Sequence, residues 1–313
     1  MGTSLTMMLA QRYKSLMKRY TYLLGVGMAF QFFLGEINPS FLAYPWGLVL
    51  AINYLYVLIF LVIRSERWKW VKCEYDRPAS IASLSSLLFL TLLFGLVRQD
   101  HSTDGFMGWL GFTHMQSSWI FNIFLFQFMT MIGLKALDDI IYWKKRRITT
   151  MVMHVSLFII LSAAIFGSGD KLRIRVMAIE GHPVQIGLTN QGEQVVLPFI
   201  LTLKDFSVEE YPIEEKGAMI IKQYLSVVEV NKGQEAEIVN ISVNHPAKIG
   251  SWRIYQSGYD TARGKMSTLS ILECVRDSWY EVIHFALWMI LAGGVWMFLQ
   301  GWRHSKREEG GEE

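Results

Sequence analysis

Histidine is the residue type that could carry chemistry in this chain of 313 residues, because the common catalytic signatures are missing. There is no phosphate-cradling glycine loop, no Gly-x-Ser-x-Gly, no His-Glu-x-x-His and no Cys-x-x-Cys. His154 stands apart, in Thr150-Met-Val-Met-His154-Val-Ser-Leu-Phe-Ile-Ile, inside a long apolar run. An ionisable side chain in such a place is costly and needs a partner. Two readings stand: a neutral imidazole bonded to a neighbouring helix, or a ligand to a cofactor. If His154 is a ligand, the iron of haem b is its natural guest, since a neutral imidazole in an apolar helix bundle suits a macrocycle that is itself mostly apolar. Haem propionates then need cations. Lys144, Lys145, Arg146 and Arg147 lie one or two turns below, with Arg146 and Arg147 the candidate propionate partners, although all four also serve as plain topology anchors.

His114 and His284 fall near the opposite face of the membrane, with His101 close by in sequence to the first. A second haem held there competes with ordinary hydrogen bonding to water and lipid headgroups. His182, His245 and His304 read as surface residues, and the methionine-rich stretches Met129 to Met131 and Met151 to Met153 read as packing.

The elements that must position these residues follow from composition. At 52% hydrophobic, 18% charged and mean hydropathy +0.27, the chain is too apolar for an ordinary soluble enzyme. Stretches without Asp, Glu, Lys or Arg run from Tyr20 to Gly35, Ile37 to Ile63, Pro78 to Val97, Gly105 to Leu134, Ile148 to Gly169 and Val282 to Trp302. These predict six membrane spans, the first the shortest, and the fourth beginning with an interfacial segment before a span from about Ser117 to Leu134. Basic residues set the orientation. Arg12, Lys14, Lys18 and Arg19, then Arg64, Arg67, Lys69, Lys72 and Arg77, then Lys135 and Lys144 to Arg147, and finally Arg303, Lys306 and Arg307 all fall on one side, whereas the short loops opposite hold only Arg98. Both termini are therefore expected in the cytoplasm, and His154 in the inner half of the membrane. A net charge of +3 gives no reason to expect nucleic acid. The lipid bilayer is the expected surrounding.

Between the last two spans lies a segment of different character. Leu172 to Val176, Val195 to Val208, Met219 to Val230, Ala236 to Val243, Trp252 to Tyr259 and Ser267 to Cys274 are strand-like and separated by turn residues, with Asn231-Lys-Gly233 predicting a hairpin turn. The expected architecture is an α-helical integral membrane protein with an extracytoplasmic, mainly β domain inserted between helices five and six. The expected division is 1–77, an extension with two spans; 78–169, spans three to five; 170–280, the β domain; and 281–313, the last span and a tail. Cys73 and Cys274 then lie on opposite sides and read as plain thiols.

Particular motifs extend this reading. Leu197-Pro-Phe199, Leu203-Lys-Asp-Phe206, Tyr211-Pro212, Val243-Asn-His-Pro246, Gly250, Arg253-Ile-Tyr-Gln-Ser-Gly-Tyr-Asp260 and Arg276-Asp-Ser-Trp279 resemble the ResB/CcsB proteins of System II cytochrome c biogenesis. The likeness covers roughly Ser117 to Gln300. Ser117-Ser-Trp-Ile-Phe121 resembles the family's Ser-Trp-Trp-Phe, with Ile120 for the second Trp, and His154-Val-Ser-Leu-Phe158 its His-Leu-Ser-Phe; Ile174 to Gly181 is a looser match. The two spans before Pro78 are additional to the usual four.

The resemblance implies a bacterial inner-membrane subunit that works with a CcsA-type protein to move haem outward, where its vinyl groups join the thiols of Cys-x-x-Cys-His in apocytochrome c. It implies that His154 supplies one axial ligand and the CcsA-type partner the other, with a thioredoxin-like reductant serving the thiols. Nothing in the chain resembles the Trp-rich external motif of CcsA, so the resemblance implies half a synthase: a subunit that is either non-catalytic or contributes half of the site, and that needs its CcsA-type partner. Two other classes remain: a haem b anchor passing quinol electrons, which needs two intramembrane ligands, and a cofactor-free scaffold for apocytochrome.

Overall fold

Helices form where the chain has to satisfy its own backbone away from water, so each long charge-free run closes its hydrogen bonds within one segment. The structure, a computed structural model, describes residues 2–100, 105–143, 148–189, 192–210, 221–233 and 235–309. By density of contacts the chain divides into Met1–Gly169 with Trp279–Glu313, and Asp170–Ser278.

The first unit is helical: α1 (Gly2–Leu34), α2 (Trp46–Arg64), α3 (Lys69–Glu74), α4 (Arg77–Leu96), α5 (Gly105–Trp109), α6 (Trp119–Ile141), α7 (Ile148–Phe166) and α8 (Tyr280–Glu309). Five of these, α2, α4, α6, α7 and α8, are long and apolar enough to cross a membrane. The remaining long helix, α1, falls outside that group. Its uncharged part, Tyr20 to Leu34, spans only about 22 Å at ~1.5 Å per residue, and the part before Tyr20 carries four cations. Two of them turn inward to the α3–α4 corner: Arg12 pairs with Asp76 at 3.2 Å and Arg19 with Glu74 at 2.5 Å, while Arg19 also donates to Gln127 of α6 at 2.9 Å.

Helix α6 is the hub. Half of its apolar window is buried, against 11–22% for the other four candidates, because α1, α2, α4 and α7 all pack on it. Leu16 and Tyr20 of α1 meet Leu90 and Phe94 of α4 and Ile120 and Phe124 of α6. On another side Leu58 and Val62 of α2 close on Leu134. Helix α8 packs on α7.

Two boundaries differ from the sequence expectation. The run starting at Ile37 does not begin as helix; Pro39 opens a short 3-10 turn capped by the Asn38 side chain on the Ser40 amide, and α2 starts only after Pro45. Conversely, α6 does not stop at Leu134. It continues through Lys135, Asp138 and Asp139, since charged residues spaced three and four apart neutralise one another on one helix face.

The second unit is one antiparallel sheet of eight strands: β1 (Leu172–Ile179), β2 (Pro183–Leu188), β3 (Gln194–Glu210), β4 (Ile221–Lys232), β5 (Glu235–Ser242), β6 (Ala247–Ile249), β7 (Trp252–Tyr259) and β8 (Leu269–Arg276). They are ordered β5-β4-β3-β2-β1-β8-β7-β6, and the sheet curls until β5 approaches β6 and β7. Strands β2 and β6 are additional to the sequence expectation; both are short, and β6 has three residues. Alternation builds the core: Ile174, Val176 and Ala178 of β1 face inward with Leu197, Phe199, Leu201 and Leu203 of β3, whereas Arg173, Arg175 and Met177 face out. The β4–β5 hairpin turns at Gly233, whose φ of +68° is a conformation that favours glycine.

Polar groups inside this core are bonded to one another. Ser226 Oγ donates to Gln256 Oε1 at 2.6 Å, and Gln256 Nε2 donates to Ser270 Oγ and to the Gly258 carbonyl, both at 2.9 Å.

Candidate functional site

His154 sits six residues into α7, about 9 Å from its start. The α6–α7 packing brings it to Asp139, with Nδ1 2.9 Å from Oδ2. An ionised carboxylate only accepts, so a hydrogen bond at this distance is one that Nδ1 donates and Asp139 receives. Asp139 is well buried, its side chain 7% exposed, and His154 is a quarter exposed. That combination fixes the ring and leaves part of it accessible.

The carboxylate is itself held. Lys135 Nζ lies 2.5 Å from Asp139 Oδ1 and 3.5 Å from Asp138 Oδ2. Tyr75, next to α4, donates its hydroxyl to Asp138 Oδ1 at 3.1 Å. Burial, and then the charge of Asp138, push the Tyr75 hydroxyl well above its ordinary value, which keeps it protonated as a donor. The result is a continuous chain, Tyr75 to Asp138 to Lys135 to Asp139 to His154. Beside it opens a cleft of about 530 Å³ walled by Glu66 and Lys72, by Tyr75, Asp76 and Arg77, and by Lys135, Asp138, Asp139 and Tyr142.

The other histidines have different surroundings. His114 lies in the turn before α6 and is almost fully buried; its Nδ1 is 3.1 Å from Thr113 Oγ1 and its Nε2 3.6 Å from Glu36 Oε1. Glu36 in turn accepts from Ser117 Oγ at 3.0 Å. His284 is exposed on the first turn of α8, stacked on Tyr280 at 4.3 Å with its Nε2 3.2 Å from the Tyr280 hydroxyl. Each histidine is thus engaged by its own neighbours. Lys144, Lys145, Arg146 and Arg147, the candidate propionate partners, lie outside the described residues, as do His101, Tyr211 and Pro212.

Asp139 is the residue that sequence reasoning missed. A search for charge-free runs ends the span at Leu134 and relegates Lys135, Asp138 and Asp139 to a loop. The signal that could have found it is the Lys135-x-x-Asp138-Asp139 spacing, which continues a helix as readily as it ends one.

The His154–Asp139 contact has the form that a metal-ligating imidazole makes with its outer partner. A ligating imidazole almost always donates its other N–H to a carboxylate or carbonyl, and His154 does so. Among the described residues no cluster of three or more His, Cys, Asp or Glu side chains is arranged for a bare metal ion.

Residues 144–278 match the ResB-like family, a stretch that begins just before α7, contains His154 and continues to the end of the β unit. A solved structure titled "Cytochrome c Heme Lyase CcmF" is similar at 12% identity and a TM-score of 0.34, over 82% of this chain and 46% of that one. The chain thus spans less than half of that structure's length. No curated protein matches the chain.

Proposed function

We propose that this chain is a membrane subunit of a System II cytochrome c synthase, helping a CcsA-type partner carry haem b across the bacterial inner membrane for attachment to apocytochrome c. The observation that carries the reading is the Asp139-held imidazole of His154, in a segment that matches the ResB-like family. In this reading α1 is a sixth span, both termini are cytoplasmic and the β unit faces outward. Haem is cargo.

Each group has a defined task. His154 would hold the haem iron through Nε2, and Asp139, accepting from Nδ1, would orient the ring for it. The partner supplies the second ligand. Attachment adds each thiol S–H of Cys-x-x-Cys-His across a vinyl double bond, forming one C–S and one C–H bond without net oxidation. Rate then comes from holding vinyl and thiol in register, the gain from proximity. The β unit offers a rigid sheet against which the apocytochrome segment is presented.

The test is to co-express the chain with its CcsA-type partner and purify the wild type and His154→Gly. Haem per complex and holocytochrome yield are both expected to fall in the variant. Unchanged haem content together with unchanged yield would remove His154 from the ligand set.

A further inference from the structure

Asp139 has a second neighbour that gives it more to do than hold a ring. We propose that Asp139 and Lys135 form a charge pair that sets both the tautomer of His154 and the oxidation-state preference of the iron bound to it, with Asp139 as the positioning residue and Lys135 as its counterweight. The inference rests on the haem-ligand reading of His154 above.

The argument is electrostatic. A carboxylate accepting from Nδ1 moves electron density toward Nε2 and strengthens it as a donor, which favours the ferric iron over the ferrous one. Asp139 can do this strongly because its side chain is 7% exposed, so solvent screens it little. The Lys135 ammonium at 2.5 Å works against it, drawing the carboxylate's charge away from the imidazole. Lys135 is shared with Asp138 at 3.5 Å, and Asp138 is anchored in turn by the Tyr75 hydroxyl. The three α6 residues thus place one cation between two carboxylates, with only one of the carboxylates touching the histidine. A simple brace between α6 and α7 would need the hydrogen bond but not the opposed charges.

Three variants of the full chain, co-purified with the CcsA-type partner, separate these roles. Asp139→Asn keeps an oxygen that accepts from Nδ1 and removes the charge. The midpoint potential of the bound haem is expected to rise, each tenfold loss of ferric-over-ferrous preference reading as about 59 mV. Lys135→Met removes the counterweight, and the midpoint is expected to fall. Asp139→Ala removes the acceptor as well, and haem affinity is expected to drop about 10–100-fold, the usual loss when such a partner is removed. Shifts of the same sign, or none, in Asp139→Asn and Lys135→Met would overturn the charge-pair assignment.

A readout that needs no haem accompanies these. The 15N spectrum of the histidine-labelled chain, with His154 signals identified by difference from His154→Gly, is expected to show a protonated Nδ1 and a bare Nε2 in the wild type and a loss of that state in Asp139→Ala. A protonated Nε2 with bare Nδ1 in the wild type would overturn the positioning role. Retention of haem by His154→Gly would instead refute the underlying ligand reading, so the two failures are distinct.

Discussion

Gly133→Ala tests whether the contact between α6 and α7 governs the histidine. A Cβ at this position would lie 2.6 Å from Cε2 of Phe158 and 2.7 Å from Cδ1 of Leu58, where ordinary carbon contacts are about 3.6 Å. The deficit is about 1 Å on both sides. Leu58 is fully buried and Phe158 is packed against Tyr54, which restricts escape by side-chain rotation and leaves separation of the helices as the relief. Phe158 is one turn beyond His154 on α7, and Gly133 is six residues before Asp139 on α6, so the same separation acts on their bond. Adding about 1 Å to the 2.9 Å distance gives about 3.9 Å, beyond hydrogen-bonding range. Overpacking of this kind costs about 1–3 kcal/mol, partly offset by the ~1 kcal/mol gained when alanine replaces glycine in a helix. Gly95→Ala is the control, since nothing lies within 4 Å of its added Cβ. In detergent, Gly133→Ala is expected to melt below Gly95→Ala and to retain less haem after co-purification. Adding Phe158→Leu is expected to recover part of both. Equal melting and equal haem retention in the two glycine variants would refute the reasoning.

Other expectations concern the β unit and the orientation of the chain. Burial, with Glu273 beside it, pushes the Cys274 thiol up to about 12, so iodoacetamide at pH 8 is expected to modify it only once denaturant opens the core; rapid modification of the native chain, read by peptide mass spectrometry, would contradict that core. Gln256→Leu leaves the Ser226 and Ser270 hydroxyls without their shared amide and is expected to cost about 1–3 kcal/mol, whereas combining it with Ser226→Ala and Ser270→Ala should return most of that loss in a thermal melt. Thr261→Cys in a Cys73→Ser background is expected to react with an impermeant maleimide on intact cells, and labelling that appears only after lysis would place the β unit inside.

Sequence patterning carried most of the fold because both solvents leave a mark on it. Hydrocarbon demands long charge-free helices, and α4 and α7 follow their runs within a few residues. Alternation of Val, Ile and Leu with polar residues placed β3, β4, β5, β7 and β8 in the same way. The pattern fails where charges pair with one another, because a helix then continues through residues that look like a loop; α6 past Leu134 is that case. It also fails where proline stops a helix inside an apolar stretch, as before Trp46. His154 stands out in the sequence because it is the one ionisable side chain in an apolar run. Asp139 does not, since its importance arises from packing between two helices, which spacing along one of them does not encode.

The pairing of β1 with β8 bears on how such a chain could have been assembled. Leu172 lies opposite Arg276, so the strand that enters the β unit and the strand that leaves it are neighbours, with Cα atoms about 5 Å apart as in any antiparallel pair. Helices α7 and α8, which continue from those two ends, pack on each other as a hairpin. The β unit therefore has the geometry of a cassette, carried on two adjoining threads that a turn of a few residues could replace. Such a segment can be lengthened or exchanged at one junction of two neighbouring chain ends, with the pairing of α7 and α8 kept as it is.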